Sequence, residues 1–450
     1  MRAGTEPVQA TRAVPRGRRP AAGTDRQDPP PRAGTGRADG RVSAPAAVAA
    51  RPAAAAAGRA KRHVHEVDVV RVLTFAAVIA VHTISETSAD SDVGANAAVM
   101  LLHFTREAFF CLTGFVLVHQ YLDRPFALRR FWARRFLLVG TPYVVWSVAY
   151  TALGWWQGPR TGTLVDQVAQ LGHNLLFGTA WYHMYFLLVS MQVYLLYPLL
   201  AELVRRTAGR HGLLLAAGLA AQLAMVAVLR YAPPRGGWLG EVVAHHDVLA
   251  VGYQLYVLVG ALVAYHLDRC TRWLRAHRGR VCAAALLTAG AAEAWYLIAV
   301  RGGQRPSDAA AVWQPVVVPW SIAAVALLAA IGSVWAQRRR PGQWLDRFLL
   351  VGSDRSFGVY LVHPVVLWLV LWSADRWVPR HLHGAWLTLV AYALTVAGAV
   401  AATEVFRRSP ISLALTGRPR ARPAFVPAPE PSLTTEEISH AHEHAHPSRA

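Results

Sequence analysis

Asp68-Val-Val-Arg71-Val-Leu-Thr-Phe-Ala-Ala-Val-Ile-Ala-Val-His82 is the stretch that decides how this chain is built. From Val72 to Val81 it carries no charge, and Thr74 is its one polar residue. A helix rises about 1.5 Å per residue, so Arg71 and His82 stand roughly 16 Å apart along the axis. That is about half the thickness of a ~30 Å hydrocarbon core. Ionisable residues inside a membrane segment are costly and mark a functional site by default. Here there are three: Asp68, Arg71 and His82.

The composition agrees with a membrane setting. The chain has 450 residues, of which 54% are hydrophobic and only 16% charged. A soluble domain carries nearer a quarter charged residues. Sixteen tryptophans suit aromatic belts at two interfaces. The net charge of +20 resembles a nucleic-acid signature, but residues 1–66 hold thirteen Lys and Arg against five Asp and Glu. Most of the remaining excess lies in short loops between apolar segments. That is a topology signal, so no nucleic-acid partner is expected. Cys111, Cys270 and Cys282 form no CxxC spacing and imply neither a disulfide framework nor a metal site.

Ten apolar segments of spanning length follow one another, at about 67–87, 97–119, 136–156, 181–203, 212–230, 248–267, 281–300, 313–336, 348–373 and 386–406. One set of intervening loops is basic. It holds Arg124, Arg129, Arg130, Arg134 and Arg135, then Arg205, Arg206 and Arg210, then Arg269, Arg272, Arg275, Arg278 and Arg280. Arg338, Arg339, Arg340, Arg347, Arg407 and Arg408 complete it. The opposite set holds Asp90, Asp92, Arg160, Arg235, Arg301, Arg305, Arg376 and Arg380. The positive-inside rule then predicts both termini in the cytoplasm of a multi-pass protein of the cell membrane. The expected fold is all-α and integral to the membrane, a bundle of about ten transmembrane helices over 63–408. Residues 1–62 read as a disordered tail rich in Arg, Ala and Pro. Residues 409–450 read as a second one, rich in Pro and ending His440-Ala-His442-Glu-His444-Ala-His446, to which no catalytic role is given.

On this topology Asp68 and Arg71 lie at the cytoplasmic end of the first helix and His82 toward its outer half. Asp68 and Arg71 are i,i+3 and share a face, so they can pair. Arg71 has two readings. It is a positive-inside anchor, or it faces a vestibule and binds a phosphorylated donor through its planar fork. His82 likewise is an interfacial histidine reaching water, or a general base or acyl carrier, since an imidazole can take a proton from a hydroxyl. The residues alone leave both pairs open.

Asp68-x-x-Arg71 followed by His82, with ten residues between the last two, resembles the signature of the membrane acyltransferase-3 family. Phe109-Phe110-Cys111-Leu112-Thr113-Gly114-Phe115 is similar to that family's Phe-Phe-x-x-Ser-Gly-Phe, with Thr113 in place of Ser. Leu128-Arg129-Arg130-Phe131-Trp132-Ala133-Arg134-Arg135, then Pro142-Tyr143, resembles its basic loop before helix three. Tyr185-Phe186-Leu187-Leu188, Tyr194-Leu195-Leu196-Tyr197-Pro198 and Ser356-Phe357-Gly358-Val359-Tyr360-Leu361-Val362-His363-Pro364 extend the likeness, in order, across about 64–406. The resemblance implies an integral-membrane O-acyltransferase. Such proteins move an acyl group, often acetyl, from cytoplasmic acyl-coenzyme A to a hydroxyl on a glycan, lipid or secreted small molecule. It implies roles for Arg71 and His82, with Arg129, Arg130, Arg134 and Arg135 toward the donor phosphates. Acyl-coenzyme A is then a co-substrate, with no tightly bound cofactor or metal.

Weaker candidates carry two readings each. Glu107 orients His82 or pairs with Arg106, and the first is preferred. Thr113-Gly114 lines a pore or packs helices, and packing is preferred. His183, beside Trp181 and Tyr182, reads as a histidine of the aromatic belt. His363, before Pro364, lines the pore or is an internally bonded kink histidine. His245, His246 and Asp247 touch the acceptor or form a solvated outer loop, and the loop suffices as explanation. A transporter or glycan exporter is the competing class. It calls for matching broken halves, and no internal repeat is evident.

Overall fold

A computed structural model describes residues 63–124, 127–158, 162–377 and 384–420, without side chains for 375–377. The tail 1–62 and the histidine run 440–446 lie outside the described residues, as do Arg160, Arg380 and the side chain of Arg376. The described residues form helices and turns, with no strand among them.

The chain opens with α1 (His65–Thr87), then α2 (Val93–Leu102) and α3 (Phe104–Tyr121), broken at His103. Next come α4 (Leu128–Gln157), α5 (Leu164–Phe177), α6 (Tyr185–Arg206), α7 (His211–Tyr231) and the short α8 (Gly237–Ala244). Then follow α9 (Gln254–Tyr265), α10 (Leu267–Ala276), α11 (Arg278–Arg301), α12 (Pro306–Ala309) and α13 (Val317–Arg338). The last are α14 (Trp344–Trp377), α15 (Ala385–Arg408) and α16 (Ser412–Thr416). Among the described residues nine helices, with α2 and α3 counted as one, are long and apolar enough to cross a membrane. The pair α9–α10 would make a tenth. Leu213, Leu286, Ile298 and Leu389 stand exposed on α7, α11 and α15. Apolar surface of that kind belongs against lipid.

Four features depart from the sequence reading. The basic loop before helix three is helical: Arg129 to Arg135 occupy the first turns of α4. The segment expected at 248–267 ends at Tyr265, and the chain turns by 94° into α10. In α10 Arg269, Arg272 and Arg275 alternate with Leu267, Cys270 and Trp273, the pattern of a helix lying along an interface. The amphipathic α5 was not anticipated. Its capping box pairs Thr163 with Asp166, and the Thr163 backbone N–H and hydroxyl both donate to that carboxylate, holding it below its ordinary range. Finally, residues 409–420, expected as tail, carry α16. Trp146 Nε1 donates to the Leu415 carbonyl at 3.0 Å, and Ser412 and Thr416 are buried.

Two devices set the packing. The first is glycine at the crossing of α3 and α9. A Cβ on Gly114 would lie 2.1 Å from the Val257 carbonyl oxygen, and one on Gly260 would lie 1.8 Å from that of Cys111. The two backbones touch at Gly114, so that glycine serves close helix packing. The second is proline inside a span. Each proline leaves the carbonyl four residues earlier without its helical donor. Within a bilayer that oxygen needs another partner. Pro198 releases Tyr194, whose carbonyl accepts Trp132 Nε1 at 3.0 Å and so ties α4 to α6. Pro364 releases Tyr360, whose carbonyl accepts from the ring of its own neighbour, His363, at 2.7 Å.

Candidate active site

The two ends of the α1 stretch meet two polar clusters, and α14 supplies a partner at each. At the basic end Asp68 is buried. Its carboxylate accepts from Ser353 Oγ at 2.7 Å and faces His63 Nε2 at 2.5 Å. Arg71 Nη1 donates to the same Ser353 Oγ at 3.1 Å. A hydroxyl has one proton to give and lone pairs to receive, so Ser353 accepts from Arg71 while donating to Asp68. The pairing expected between Asp68 and Arg71 is thus bridged by a residue the motif reading passed over. Asp354, Arg418 and Tyr194 lie within electrostatic reach of Arg71, and Tyr194 is also within reach of Arg135.

His63, His65 and Asp68 bring three potential ligand atoms within 4.8 Å of one another. The tautomer argues against a metal there. Arg339 Nη1 donates to His65 Nε2 at 2.9 Å, so in a neutral ring Nδ1 carries the proton and has no lone pair to offer.

The basic residues of α4 divide. Arg129, Arg130 and Arg134 are exposed. Arg135 turns inward: Nη2 donates to Gln120 Oε1 at 3.1 Å and to the Tyr121 hydroxyl at 3.2 Å. Its guanidinium lies 5.3 Å from the Tyr121 ring and 5.6 Å from that of Tyr194. Arg135 and Arg71 therefore share a neighbour in Tyr194, while the other three arginines face outward.

At the other end His82 stacks on Tyr182 with ring centroids 4.3 Å apart, and stands 5.5 Å from His363. His363 is fully buried. Its Nδ1–H donates to the Tyr360 carbonyl, and its Nε2 has no hydrogen-bond partner. His183 closes the group, 5.4 Å from His363 and 5.1 Å from Tyr360, with both ring nitrogens unpartnered. The Tyr360 hydroxyl donates to the His183 carbonyl at 2.6 Å, and the Tyr150 hydroxyl to that of Leu361 at 2.7 Å. His183 is thus a buried member of the cluster, not a belt residue. His363 combines its two readings: one nitrogen is bonded internally, and the other lies in the cluster with His82.

Glu107 does not join them. Arg106 donates to its Oε1 from Nε and Nη2, both at 3.2 Å, while Nη1 reaches Asp247 Oδ1 at 3.3 Å. Trp313 Nε1 donates to the same Asp247 oxygen at 2.5 Å, and the guanidinium lies 4.5 Å from the Trp313 ring. The preferred pairing of Glu107 with His82 is corrected to an ion pair with Arg106, its neighbour in sequence. Asp247, read as solvated loop, is a second carboxylate on that arginine. The Thr113 hydroxyl donates to the Phe109 carbonyl of its own helix at 2.9 Å. Beyond His82, a cavity of about 220 Å³ opens at the end of α1, bordered by Ser85, Ser88, Asn96, His103 and Ser307.

Guanidinium groups at one end and unpartnered imidazole nitrogens at the other suit a phosphate-bearing donor and a proton-yielding acceptor. An acyltransferase domain family matches residues 64–404, the span over which the motifs resembled the acyltransferase-3 family. The chain belongs to that family and is a multi-pass membrane acyltransferase. No curated protein and no solved structure matches it.

Proposed function

We propose that the protein transfers an acyl group, acetyl in the first instance, from cytoplasmic acyl-coenzyme A to a hydroxyl of a glycan, lipid or secreted small molecule beyond the opposite membrane face. Both termini are cytoplasmic in this reading, and the membrane is the cell membrane. The observation that carries it is the polarity of α1. Arg71 sits in a cluster with Asp68, Ser353 and Tyr194, while His82 sits with Tyr182, His183 and His363.

The donor binds by its phosphates at the basic end, with Arg71 and Arg135 as the inward-turned guanidiniums. The exposed Arg129, Arg130 and Arg134 attract it from solution. His82 takes the proton of the acceptor hydroxyl as its oxygen attacks the thioester carbonyl. The new bond is an oxygen ester. The broken bond is carbon to sulfur, and the proton ends on the coenzyme A thiol. The polar cavity beside Ser85 and His103 supplies hydrogen-bonding room for a polyhydroxyl acceptor, and Thr113 stays with helix packing.

Membrane vesicles holding the whole chain and fed acetyl-labelled coenzyme A from the cytoplasmic side are the test. Base-labile label should appear in the envelope fraction and vanish with His82→Ala and His82→Gln. Undiminished labelling in His82→Gln would overturn the assignment of the proton acceptor.

A further inference from the structure

The helical ladder of α14 determines which nitrogen of His363 is bare. Pro364 has no N–H, so the Tyr360 carbonyl loses its normal donor. The His363 ring fills that place with Nδ1, at 2.7 Å. A carbonyl can only accept, so Nδ1 carries the hydrogen. In a neutral imidazole Nε2 then presents a lone pair. That lone pair is buried and unpartnered, and the imidazoles of His82 and His183 stand around His363 with centroids 5.5 Å and 5.4 Å away.

The two rings are stacked side by side, so a modest turn of either imidazole is what brings nitrogen toward nitrogen. Elsewhere in the chain His211 Nδ1 and His266 Nε2 lie 2.8 Å apart in a direct contact, with ring centroids 5.0 Å apart and planes turned to 75°. The centroids of His82 and His363 are 5.5 Å apart, half an ångström wider, with the ring planes 29° from parallel. Catalytic hydrogen bonds are often long before substrate arrives and tighten in the reacting complex. The phenols of Tyr360 and Tyr150 hold this part of α14 against the His183 segment and α4, which limits how far His363 can turn away.

We propose that His363 acts through His82 as the second station of a proton relay, with its Nε2 receiving the proton that His82 gives up. The inference rests on His82 being the group that deprotonates the acceptor. His82 takes the hydroxyl proton on one nitrogen and releases its other proton to His363 Nε2. His82 is neutral again, and His363 carries the charge while Nδ1–H stays bonded to Tyr360. As the carbon–sulfur bond breaks, the proton returns through His82 to the coenzyme A sulfur. No oxidant, metal or further reactant is needed. His183, 5.4 Å from His363, keeps the site polar without a role of its own in the transfer.

The two nitrogens of His363 can be separated by substitution. In His363→Asn the side-chain amide NH takes the place of Nδ1, so the bond to the Tyr360 carbonyl is kept while the Nε2 position is lost. The intact protein in proteoliposomes, with acetyl-coenzyme A and its acceptor lipid extract, is assayed for kcat, for KM of the donor and for rate in mixtures of H2O and D2O. His363→Asn should fold as stably as the parent, keep its donor KM and lose about 10²-fold or more in kcat, the range of general acid–base contributions. The parent should show a curved dependence on deuterium fraction, from two protons in flight, and the variant a linear one. His363→Ala should lose activity and thermal stability together, because it also strands the carbonyl. Unchanged kcat and unchanged curvature in His363→Asn would overturn the relay while leaving His82 in place. Transfer that survives His82→Ala would instead overturn the reading on which the relay rests.

Discussion

Trp132 donates its indole N–H to the backbone carbonyl of Tyr194, 3.0 Å away, and that carbonyl is the one Pro198 leaves without a helical partner. Trp132→Phe keeps an aromatic ring and removes the donor. The stranded carbonyl should cost about 1–3 kcal/mol. Thermal unfolding of the detergent-purified protein checks this, and the double variant Trp132→Phe with Pro198→Ala, which restores the backbone donor, should recover most of the loss.

Ser353 links Asp68 to Arg71, so donor affinity should depend on all three. Arg71→Ala removes a charged hydrogen bond and should weaken acyl-coenzyme A use by about 1.5–3 kcal/mol, roughly ten- to hundred-fold. Arg71→Lys should recover only part of it, since an ammonium lacks the planar fork. Ser353→Ala should act in the same direction more weakly, by freeing Arg71 from its register. Donor titration by calorimetry reads all three variants. A normal dissociation constant in correctly inserted Arg71→Ala would return Arg71 to the role of an anchor.

Gly260→Ala should abolish stable folding, because its methyl meets the Cys111 carbonyl at 1.8 Å and neither backbone can yield alone. Gly154→Ala is the comparison, with nothing within 4 Å of the added carbon. There the gain in helix propensity should raise stability by up to about 1 kcal/mol. Yield of monodisperse protein after solubilisation separates the two, and a well-behaved Gly260→Ala protein would refute the backbone contact.

Reporter fusions test the proposed orientation. A fusion after Arg210, between α6 and α7, should behave as cytoplasmic, and one near Arg235, between α7 and α8, as external. The reverse pattern would exchange the donor and acceptor sides.

The helices were legible in the sequence because lipid demands long uncharged runs, and α1 announces itself by its arginine and histidine. The interruption at His266 was not. The apolar run there continues past Tyr265, and only the alternating charges of α10 hint that it turns aside. Thr163-x-x-Asp166 is the signal for α5, but a 14-residue amphipathic stretch is too short to stand out among spanning segments. At the site, Arg71, His82 and His363 carried visible marks: charge in an apolar helix, and a histidine before proline. Ser353 had none, since a serine is ordinary in any helix and only the fold puts it between Asp68 and Arg71. His183 was misread because Trp181 and Tyr182 beside it resemble an interfacial belt, whereas the chain between α5 and α6 carries it inward. For Glu107 the sequence offers both Arg106 and His82, and nothing local separates them; the fold does, by pairing Glu107 with Arg106 and adding Asp247, distant in sequence, as a second carboxylate.

The pairing of α1 with α14 has a mechanical consequence. Arg71 and His82 are eleven positions apart on one rod, and Ser353 and His363 are ten apart on the other, so the two contacts are rungs at nearly matching heights. A shear of α14 by a single residue step, about 1.5 Å, would misalign both rungs at once. The Arg71–Ser353 contact and the spacing of the two imidazoles are therefore set by one register between α1 and α14.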